Sequence, residues 1–245
     1  MRNSNPNPNK APFDPGIAAE ILQYAAWMAG RGYVTNTLGN IAVRAPHPGE
    51  STSEVIYTKH MGVSLEEATI ENIVVTDIEK GSLLHGKMPP SVGHVMNRTI
   101  CKHRPDANAV IHCHVNEAIA YFSTTRERKF RYISADAALI MGKPVLVLAP
   151  NTNVEQDAEI LEKVIGTTNC IIMPNHGVTT LGRNLSEAYH RMNTITAELK
   201  RIILALQIAT ATNKEVQWIS EEETQQMYGI AEELIYGHQT PGVYL

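Results

Sequence analysis

Three histidines have the spacing of a metal site. His112 and His114 are separated by one residue at the end of an apolar run, and His176 follows a second apolar run, 170–173, much later in the chain. Side chains on a β-strand alternate between its two faces, so His112 and His114 point to one side while Cys113 points to the other. If the two strands end close together, three imidazoles can converge on one metal ion.

A purely structural role is the alternative for each histidine. Ten histidines in 245 residues produce some close pairs by chance. Neutral imidazoles also occur in protein cores with satisfied hydrogen bonds, and a His-Gly pair after an apolar strand is a weak signal by itself. The metal interpretation therefore depends on the motifs that accompany the histidines.

The composition is typical of an ordinary globular protein. A chain of 245 residues with 43% hydrophobic and 19% charged residues can bury the core of a single α/β domain. The net charge of -4 and the dispersed basic residues argue against a nucleic-acid partner. Three cysteines without a C-x-x-C spacing predict a reducing compartment, so we expect a cytoplasmic protein.

The chain shows neither a signal peptide pattern nor a transmembrane pattern. Residues 1–14 are rich in Asn and Pro, which predicts a disordered tail before one domain over residues 15–245. The apolar stretch 137–149 is interrupted by Gly142-Lys143-Pro144 and is too short to span a bilayer. We therefore expect no membrane partner.

The order of hydrophobic patterns predicts a three-layer α/β/α domain. Short strands separated by turns, typical of antiparallel pairing, precede the longer helices. Strands are predicted over 41–44, 55–58 and 73–76, through His112 and His114, within 142–148, and around Ile172 and Val178. Helices are predicted over 15–31, 94–103, 116–123, 154–165, 185–212 and 221–236. The expected fold is a mostly antiparallel central sheet flanked by helices.

Three motifs, in this order, resemble those of the class II aldolase/adducin family. They are Thr37-Leu38-Gly39-Asn40-Ile41-Ala42-Val43-Arg44, then Arg104-Pro105-Asp106-Ala107-Asn108-Ala109-Val110-Ile111-His112-Cys113-His114, then His176-Gly177. The resemblance covers about residues 15–236. It implies that His112, His114 and His176 bind a divalent ion, usually zinc, with iron, manganese and cobalt as other possible metals. Neutral ligands leave the charge of such an ion uncompensated, so it acts as a strong Lewis acid.

The resemblance also points to an anion-binding pocket. The family's sugar-phosphate aldolases bind phosphate through a Gly-Asn turn, a Thr-x-x-Gly loop and a pair of serines. The matching candidates here are Asn40, Thr58, Lys59, His60, Gly62 and Ser91. The loop has one extra residue, and the second serine position is Val92, which cannot donate a hydrogen bond. Lys59 and His60 suit a carboxylate at least as well as a phosphate, although both residues also fit a solvated loop.

The catalytic position departs furthest from the family. Gly93 stands where the aldolases have a Glu and the related epimerases an Asp, and glycine cannot transfer a proton. His94 and Glu117 are the candidate substitutes, although Glu117 also fits a helix start, where it would interact favourably with the dipole. The tyrosine that the aldolases use is absent too, with Leu148 near its place, and Tyr132 is a candidate donor.

The resemblance implies a metal-dependent lyase that breaks a carbon–carbon bond next to a carbonyl or hydroxyl of a small anionic substrate. Aldol cleavage and decarboxylation, which some relatives perform on hydroxylated aromatic carboxylates, both fit, and Val92 and Gly93 favour decarboxylation modestly. One alternative is a non-haem iron oxygenase, which usually has two histidines and one carboxylate. Another is an adducin-like interaction module without activity, against which the three retained histidines argue.

The family commonly forms homotetramers with the site at a subunit interface, so the resemblance implies a homo-oligomer. Tyr228, Tyr236 and Tyr244 near the C-terminus are candidates to reach a neighbour's site. The sequence does not choose among these tyrosines, and it does not identify the substrate.

Overall fold

One eight-stranded sheet forms the centre of the protein. The structure, a computed structural model, describes residues 13–47, 53–150, 152–154 and 158–236. Its strands are β1 (Asn40–Pro46), β2 (Glu54–Lys59), β3 (Ile73–Asp77), β4 (Leu83–His85), β5 (Ala109–Cys113), β6 (Val145–Val147), β7 (Cys170–Met173) and β8 (Gly177–Gly182). They are ordered β4-β3-β2-β1-β5-β8-β7-β6. Only β6 and β7 pair in parallel, so the predicted mostly antiparallel sheet is confirmed.

Helices cover both faces of this sheet. They are α1 (Pro15–Gly30), α2 (His94–His103), α3 (Asn116–Thr124), α4 (Ala135–Met141), α5 (Ala158–Val164), α6 (Leu185–Thr212) and α7 (Glu221–Ala231). Short 3-10 turns lie at Ile70–Asn72 and Ile165–Thr167, and α7 runs on into a π-helical turn at Glu232–Tyr236. No helix in the described part of the chain is long and apolar enough to cross a membrane.

The alternation of side chains along β5 separates two hydrophobic cores. Ile111 and Cys113 belong to the larger core, which contains the buried faces of α1, α3, α4 and α6. Val110 belongs to the smaller core on the opposite face, together with Met96 of α2 and Leu161 of α5. The sheet is therefore the middle layer of an α/β/α sandwich, as the sequence predicts.

Side-chain caps fix the starts of two long helices. Asp14 accepts a hydrogen bond from the N–H of Gly16 at 2.7 Å before α1, whose first residue is Pro15. Asn184, a predicted cap, accepts one from the N–H of Glu187 at 2.8 Å before α6. Both side chains satisfy a donor that would otherwise lack an intrahelical partner.

Two buried charged residues hold neighbouring loops in place through hydrogen bonds. The Arg104 guanidinium forms two hydrogen bonds of 2.7 Å with the carboxylate of Asp106 and one of 2.8 Å with Asn169 Oδ1. Glu198 of α6 is fully buried and accepts a hydrogen bond of 2.6 Å from the N–H of Ile133. Because a buried charge is tolerated only with such partners, both residues are structural anchors.

The structure differs from the sequence predictions in three elements and at the end of the predicted tail. The helix α4 and the short edge strand β4 were not predicted. The helix predicted over 154–165 is described over Ala158–Val164, and residues 155–157 lie outside the described part of the chain. Residues 1–12 of the predicted tail also lie outside it. The last two tail residues pack on the sheet, since Phe13 stacks on His85 at 4.3 Å and the N–H of Asp14 donates to the Tyr57 hydroxyl at 2.8 Å.

Candidate metal centre and its cavity

The three predicted metal ligands meet in the structure. His112 lies in β5, His114 follows the end of the same strand, and His176 lies in the turn between β7 and β8. One ring nitrogen from each residue can be chosen so that all of these atoms lie within 4.8 Å of one another. The ring centroids are 5.0 to 5.1 Å apart. This spacing suits three imidazoles that share one ion.

A tight turn and a close strand contact place His176. Asn175 has a left-handed backbone with φ of 62°, and the N–H of His176 donates to the carbonyl of Met173 at 3.0 Å. A Cβ atom on Gly177 would lie 2.4 Å from the carbonyl oxygen of Cys113. Glycine is therefore needed at this position because β8 runs directly against the end of β5.

A chain of hydrogen bonds orients the His112 ring. Its Nδ1 lies 3.0 Å from the Thr179 hydroxyl on the neighbouring strand β8, and that hydroxyl donates to Met96 Sδ at 3.8 Å. With the ring proton on Nδ1, His112 would donate to Thr179. The lone pair of Nε2 is then available to a metal.

The electrostatics of the cluster favour neutral imidazoles. Burial lowers the pKa of His112 well below its usual value, and the neighbouring His176 and His114 lower it further. Burial, followed by His176, lowers the pKa of His114, and burial also lowers the pKa of His176. Neutral rings are the form that binds a metal, so these residues fit a divalent ion.

The histidines form one wall of a cavity of about 450 Å³. Four of the predicted anion-binding residues share it, namely Asn40, Lys59, Gly62 and Ser91. No Asp or Glu lies among the described residues that line it. With a divalent ion on the histidines, the positive charge of the cavity would have no counter-charge among these described residues, which favours an anionic ligand.

Asn40 occupies the space next to Gly93. Its Oδ1 accepts a hydrogen bond of 2.7 Å from the Asn97 side chain of α2, which fixes the amide. A Cβ atom on Gly93 would lie 2.4 Å from Asn40 Nδ2. The absence of a side chain at position 93 therefore lets the amide of Asn40 lie against the wall of the cavity. The sequence offered no sign of this contact.

Lys59 is the one lysine or arginine among the described residues that line the cavity. It is 1% exposed, and its Nζ donates a hydrogen bond of 2.8 Å to the carbonyl of Thr37. Burial lowers the pKa of Lys59 to about 8. Its ammonium group is therefore held by a neutral partner and gives up its proton more readily than an ordinary lysine does.

Two other predicted anion-binding residues lie outside the lining. The Thr58 hydroxyl is buried and donates to the carbonyl of Ile41 at 2.8 Å. The His60 ring is bonded on both sides, with Nδ1 2.6 Å from the Met61 carbonyl and Nε2 3.0 Å from the Asn72 amide. These contacts support the β2 strand and its following loop, so the structure does not place either side chain in the cavity.

The predicted catalytic substitutes also lie away from the lining. His94 is buried with Nε2 3.1 Å from the Thr76 hydroxyl, and burial, followed by the charge of Arg98, lowers its pKa to about 4. Glu117 forms an ion pair of 3.3 Å with Lys200. Neither side chain joins the three histidines, because His94 is buried against Thr76 of β3 and Glu117 pairs with Lys200 of α6.

The tyrosines are likewise separated from the cavity lining. Tyr132 is 2% exposed, and its hydroxyl accepts a hydrogen bond of 3.2 Å from the Tyr228 hydroxyl. Burial, followed by Tyr228, raises the pKa of Tyr132 well above its usual value. The backbone of Tyr236 is described within the π-helical turn, and Tyr244 lies outside the described residues. Tyr132 and the half-buried Tyr228 therefore form a pair that belongs to the packing of α7.

Several lining residues were missed by the sequence reasoning. They include Thr37, Thr152, Asn153 and Asn175. Asn175 immediately precedes His176, so the histidine motif could have pointed to it. Thr37 opens the first of the three family motifs, which could likewise have pointed to it. Thr152 and Asn153 come from a loop whose position depends on the fold, and no local pattern marks them.

Comparisons with known proteins agree with this architecture. The family model "Class II Aldolase and Adducin N-terminal domain" matches residues 19–202. An L-fuculose phosphate aldolase from Methanococcus maripaludis is 27% identical over 171 residues, which are 69% of this chain and 87% of the relative.

Two solved structures share the fold. An L-fuculose 1-phosphate aldolase superposes with a TM-score of 0.74 at 20% identity, covering 90% of this chain and 98% of the other. YgbL from Escherichia coli, described as a putative aldolase/epimerase/decarboxylase, gives 0.72 at 18% identity, covering 87% and 98%. The match to the family model spans most of the chain, so this protein belongs to the class II aldolase and adducin N-terminal domain family.

Proposed function

We propose that this protein is a divalent-metal-dependent lyase that cleaves a carbon–carbon bond next to a carbonyl or hydroxyl of a small anionic substrate. The convergence of His112, His114 and His176 in one cavity carries the proposal. A module that only binds other proteins has no need of three neutral imidazoles around a cavity. The adducin-like alternative is therefore the weaker one.

Different residues of the cavity would bind the metal ion and the anionic group of the substrate. The three histidines would hold the ion, which supplies a Lewis acid that draws electrons toward the oxygen atoms of the substrate. The Asn40 amide, the Ser91 hydroxyl and the Lys59 ammonium are donors for the anionic group. Zinc is the first choice for an all-histidine set, and iron, manganese and cobalt are the alternatives.

Gly93 favours decarboxylation over aldol cleavage. Aldol cleavage needs one group that removes the hydroxyl proton and then a proton for the carbon that keeps the bonding electrons. Decarboxylation needs only the second of these transfers. A cavity without a described carboxylate, and with Asn40 against Gly93, offers few proton carriers, which suits the simpler reaction. The relatives named L-fuculose phosphate aldolase support the aldol version instead.

Metal content tests the first part of the proposal. The protein is purified without chelator, reconstituted, and analysed by mass spectrometry for bound transition metals. We expect about one equivalent per chain in the wild type and a large loss in His176→Gln, with no loss in His190→Gln, an exposed histidine of α6. Binding below about 0.2 equivalents in the wild type would reject the metal site, and stoichiometric iron would favour the oxygenase.

Reaction products test the second part. The metal-loaded protein is incubated with hydroxy-keto phosphates, L-fuculose 1-phosphate among them, and in parallel with dihydroxybenzoates and hydroxypyridine carboxylates. Carbon dioxide release from the carboxylates supports the decarboxylase version. Aldehyde release from the phosphates supports the aldolase version and shows that Gly93 and Val92 were given too much weight. No product from either group rejects the lyase proposal.

We also propose that the protein is a cytoplasmic homo-oligomer, with a tetramer as the expected state. Family membership and the cysteine content of the sequence support this proposal. The chain has a mass of 27.0 kDa, so light scattering after size-exclusion chromatography separates a tetramer from a dimer or a monomer without ambiguity.

A further inference from the structure

Both versions of the proposed reaction leave the protonation of a carbon atom without an assigned residue. When the carbon–carbon bond breaks, one carbon keeps the bonding electrons and must receive a proton. The three histidines are committed to the ion and cannot serve this role. Apart from them, Lys59 is the one titratable side chain among the described residues that line the cavity.

The alternatives from the sequence are each engaged elsewhere. His94 contacts Thr76 under the sheet, Glu117 pairs with Lys200, and the Tyr132 hydroxyl meets that of Tyr228. None of the three predicted residues belongs to the lining of the cavity. Proton transfer requires hydrogen-bond reach, so their placement leaves Lys59 as the candidate.

The surroundings of Lys59 leave its charge unpaired. In the described part of the chain its hydrogen-bond partner is the carbonyl of Thr37, and no carboxylate lies within salt-bridge distance. The charged residues of the neighbouring strands lie near the opposite end of β2, where Arg44 of β1 pairs with Ile56 and Asp77 of β3 pairs with Val55. Among the described residues that line its cavity, the other titratable groups are the three imidazoles.

We propose that Lys59 is the acid that protonates the substrate carbon after the carbon–carbon bond has broken. The bonding electrons stay on that carbon, the Lys59 ammonium transfers one proton to it, and a new C–H bond forms. The neutral amine then takes a proton from water. Decarboxylation consumes one proton in this way. In aldol cleavage the hydroxyl proton of the departing aldehyde passes to water and replaces the proton that Lys59 gives up, so no net proton is consumed. This inference rests on the proposed lyase function.

The burial of Lys59 supports this role. Its lowered pKa of about 8 keeps most of the amine protonated at neutral pH, while the proton is easier to release than that of a solvated lysine. The Thr37 carbonyl holds the amine without neutralising it, because a carbonyl carries no net charge.

Chemical rescue tests the inference. Lys59→Ala removes the amine, and Lys59→Arg keeps a charge that does not release its proton near neutral pH. We expect both variants to retain metal and to lose at least about 100-fold in turnover, which is the usual scale of general acid catalysis. Methylamine and ethylamine are expected to restore turnover in Lys59→Ala, with a rate that follows the acidity of the ammonium. Tetramethylammonium, a cation without a transferable proton, should not.

Lys102→Ala is the matched control, since Lys102 of α2 forms a surface ion pair with Glu79 and lies outside the cavity lining. Amines should leave this variant unchanged. If Lys59→Ala keeps more than about a third of the wild-type rate, or if tetramethylammonium rescues it as well as methylamine does, the role of Lys59 as an acid is wrong while the lyase proposal stands. A metal-loaded wild type that turns over no substrate overturns both.

A measurement without substrate adds a second test. The lysine Cε signals of metal-free protein are followed by NMR against pH, and the Lys59 signal is identified by its absence in Lys59→Ala. We expect a midpoint near 8 for this residue. A midpoint of about 10 or above, the range of an ordinary lysine, would overturn the inference, because the amine would then hold its proton too firmly.

Discussion

Replacement of Lys59 by methionine should change the pH dependence of stability. Burial lowers the pKa of Lys59 from 10.5 to about 8. Below pH 8 the lysine is charged in both the folded and the unfolded protein, and the folded state bears the full desolvation cost. As the pH rises from 8 to 10.5, the folded protein loses this proton first, so the unfolded state binds more protons and the wild type becomes more stable.

The size of the effect follows from the shift. The pKa difference corresponds to about 3 kcal/mol, most of which is recovered between pH 7 and pH 10. Lys59→Met never bears this cost, although it leaves the Thr37 carbonyl without its partner, a loss of about 1 kcal/mol. We therefore expect the variant to be about 2 kcal/mol more stable than the wild type at pH 7 and no more stable at pH 10.

Urea unfolding of both proteins measures the difference. The experiment uses metal-free protein with chelator at one fixed concentration, so that metal binding and association do not contribute, and follows the fluorescence of Trp27 and Trp218. Subtracting the free energy of unfolding of the variant from that of the wild type cancels the contributions of other groups that titrate in this range. A difference that stays constant within about 0.5 kcal/mol from pH 7 to pH 10 would refute the depressed pKa of Lys59.

Three further outcomes are expected. Gly93→Ala should displace the Asn40 amide, weaken anion binding and lower the free energy of unfolding in urea by about 1 to 3 kcal/mol. The control is Gly166→Ala, where a Cβ atom meets nothing within 4 Å and the loss should be less than about 1 kcal/mol. Equal losses in the two variants would contradict the close contact at Gly93. Arg104→Met should lower stability by about 3 kcal/mol or more, measured in the same way, because the buried carbonyl and amide oxygens lose their donor. Glu198→Gln should cost about 1 to 3 kcal/mol because a neutral amide accepts the backbone N–H groups more weakly, and a melting temperature equal to that of the wild type would show that this carboxylate is not an anchor.

The sequence predicted the elements whose patterns are local. The helix over 185–212 was read from its cap and periodicity, and α6 has those bounds. The strands β1, β2 and β3 were located within one or two residues. The helix α4 was missed because its short apolar run merges with that of β6, which has no periodicity to separate them.

The candidate site was predictable to a different degree for each residue. The alternation rule and the family motifs together identified His112, His114 and His176, because a metal site demands particular side chains. The contact of Asn40 with Gly93 and the burial of Lys59 depend on the distance between loops that are far apart in the sequence. Glu117 and His94 illustrate the limit, since proximity in sequence to the motif does not place either side chain in the cavity.

The pairing of β5 with both of its neighbours links the candidate metal site to strand register. Asn40 of β1 lies opposite His112, and His112 lies opposite Thr179 of β8, so these side chains form one row across the sheet. A slip of one residue in β5 would turn His112 and His114 to the other face and place Cys113 in the row. The time at which metal binds during refolding would consequently report when β1, β5 and β8 have paired in the native register.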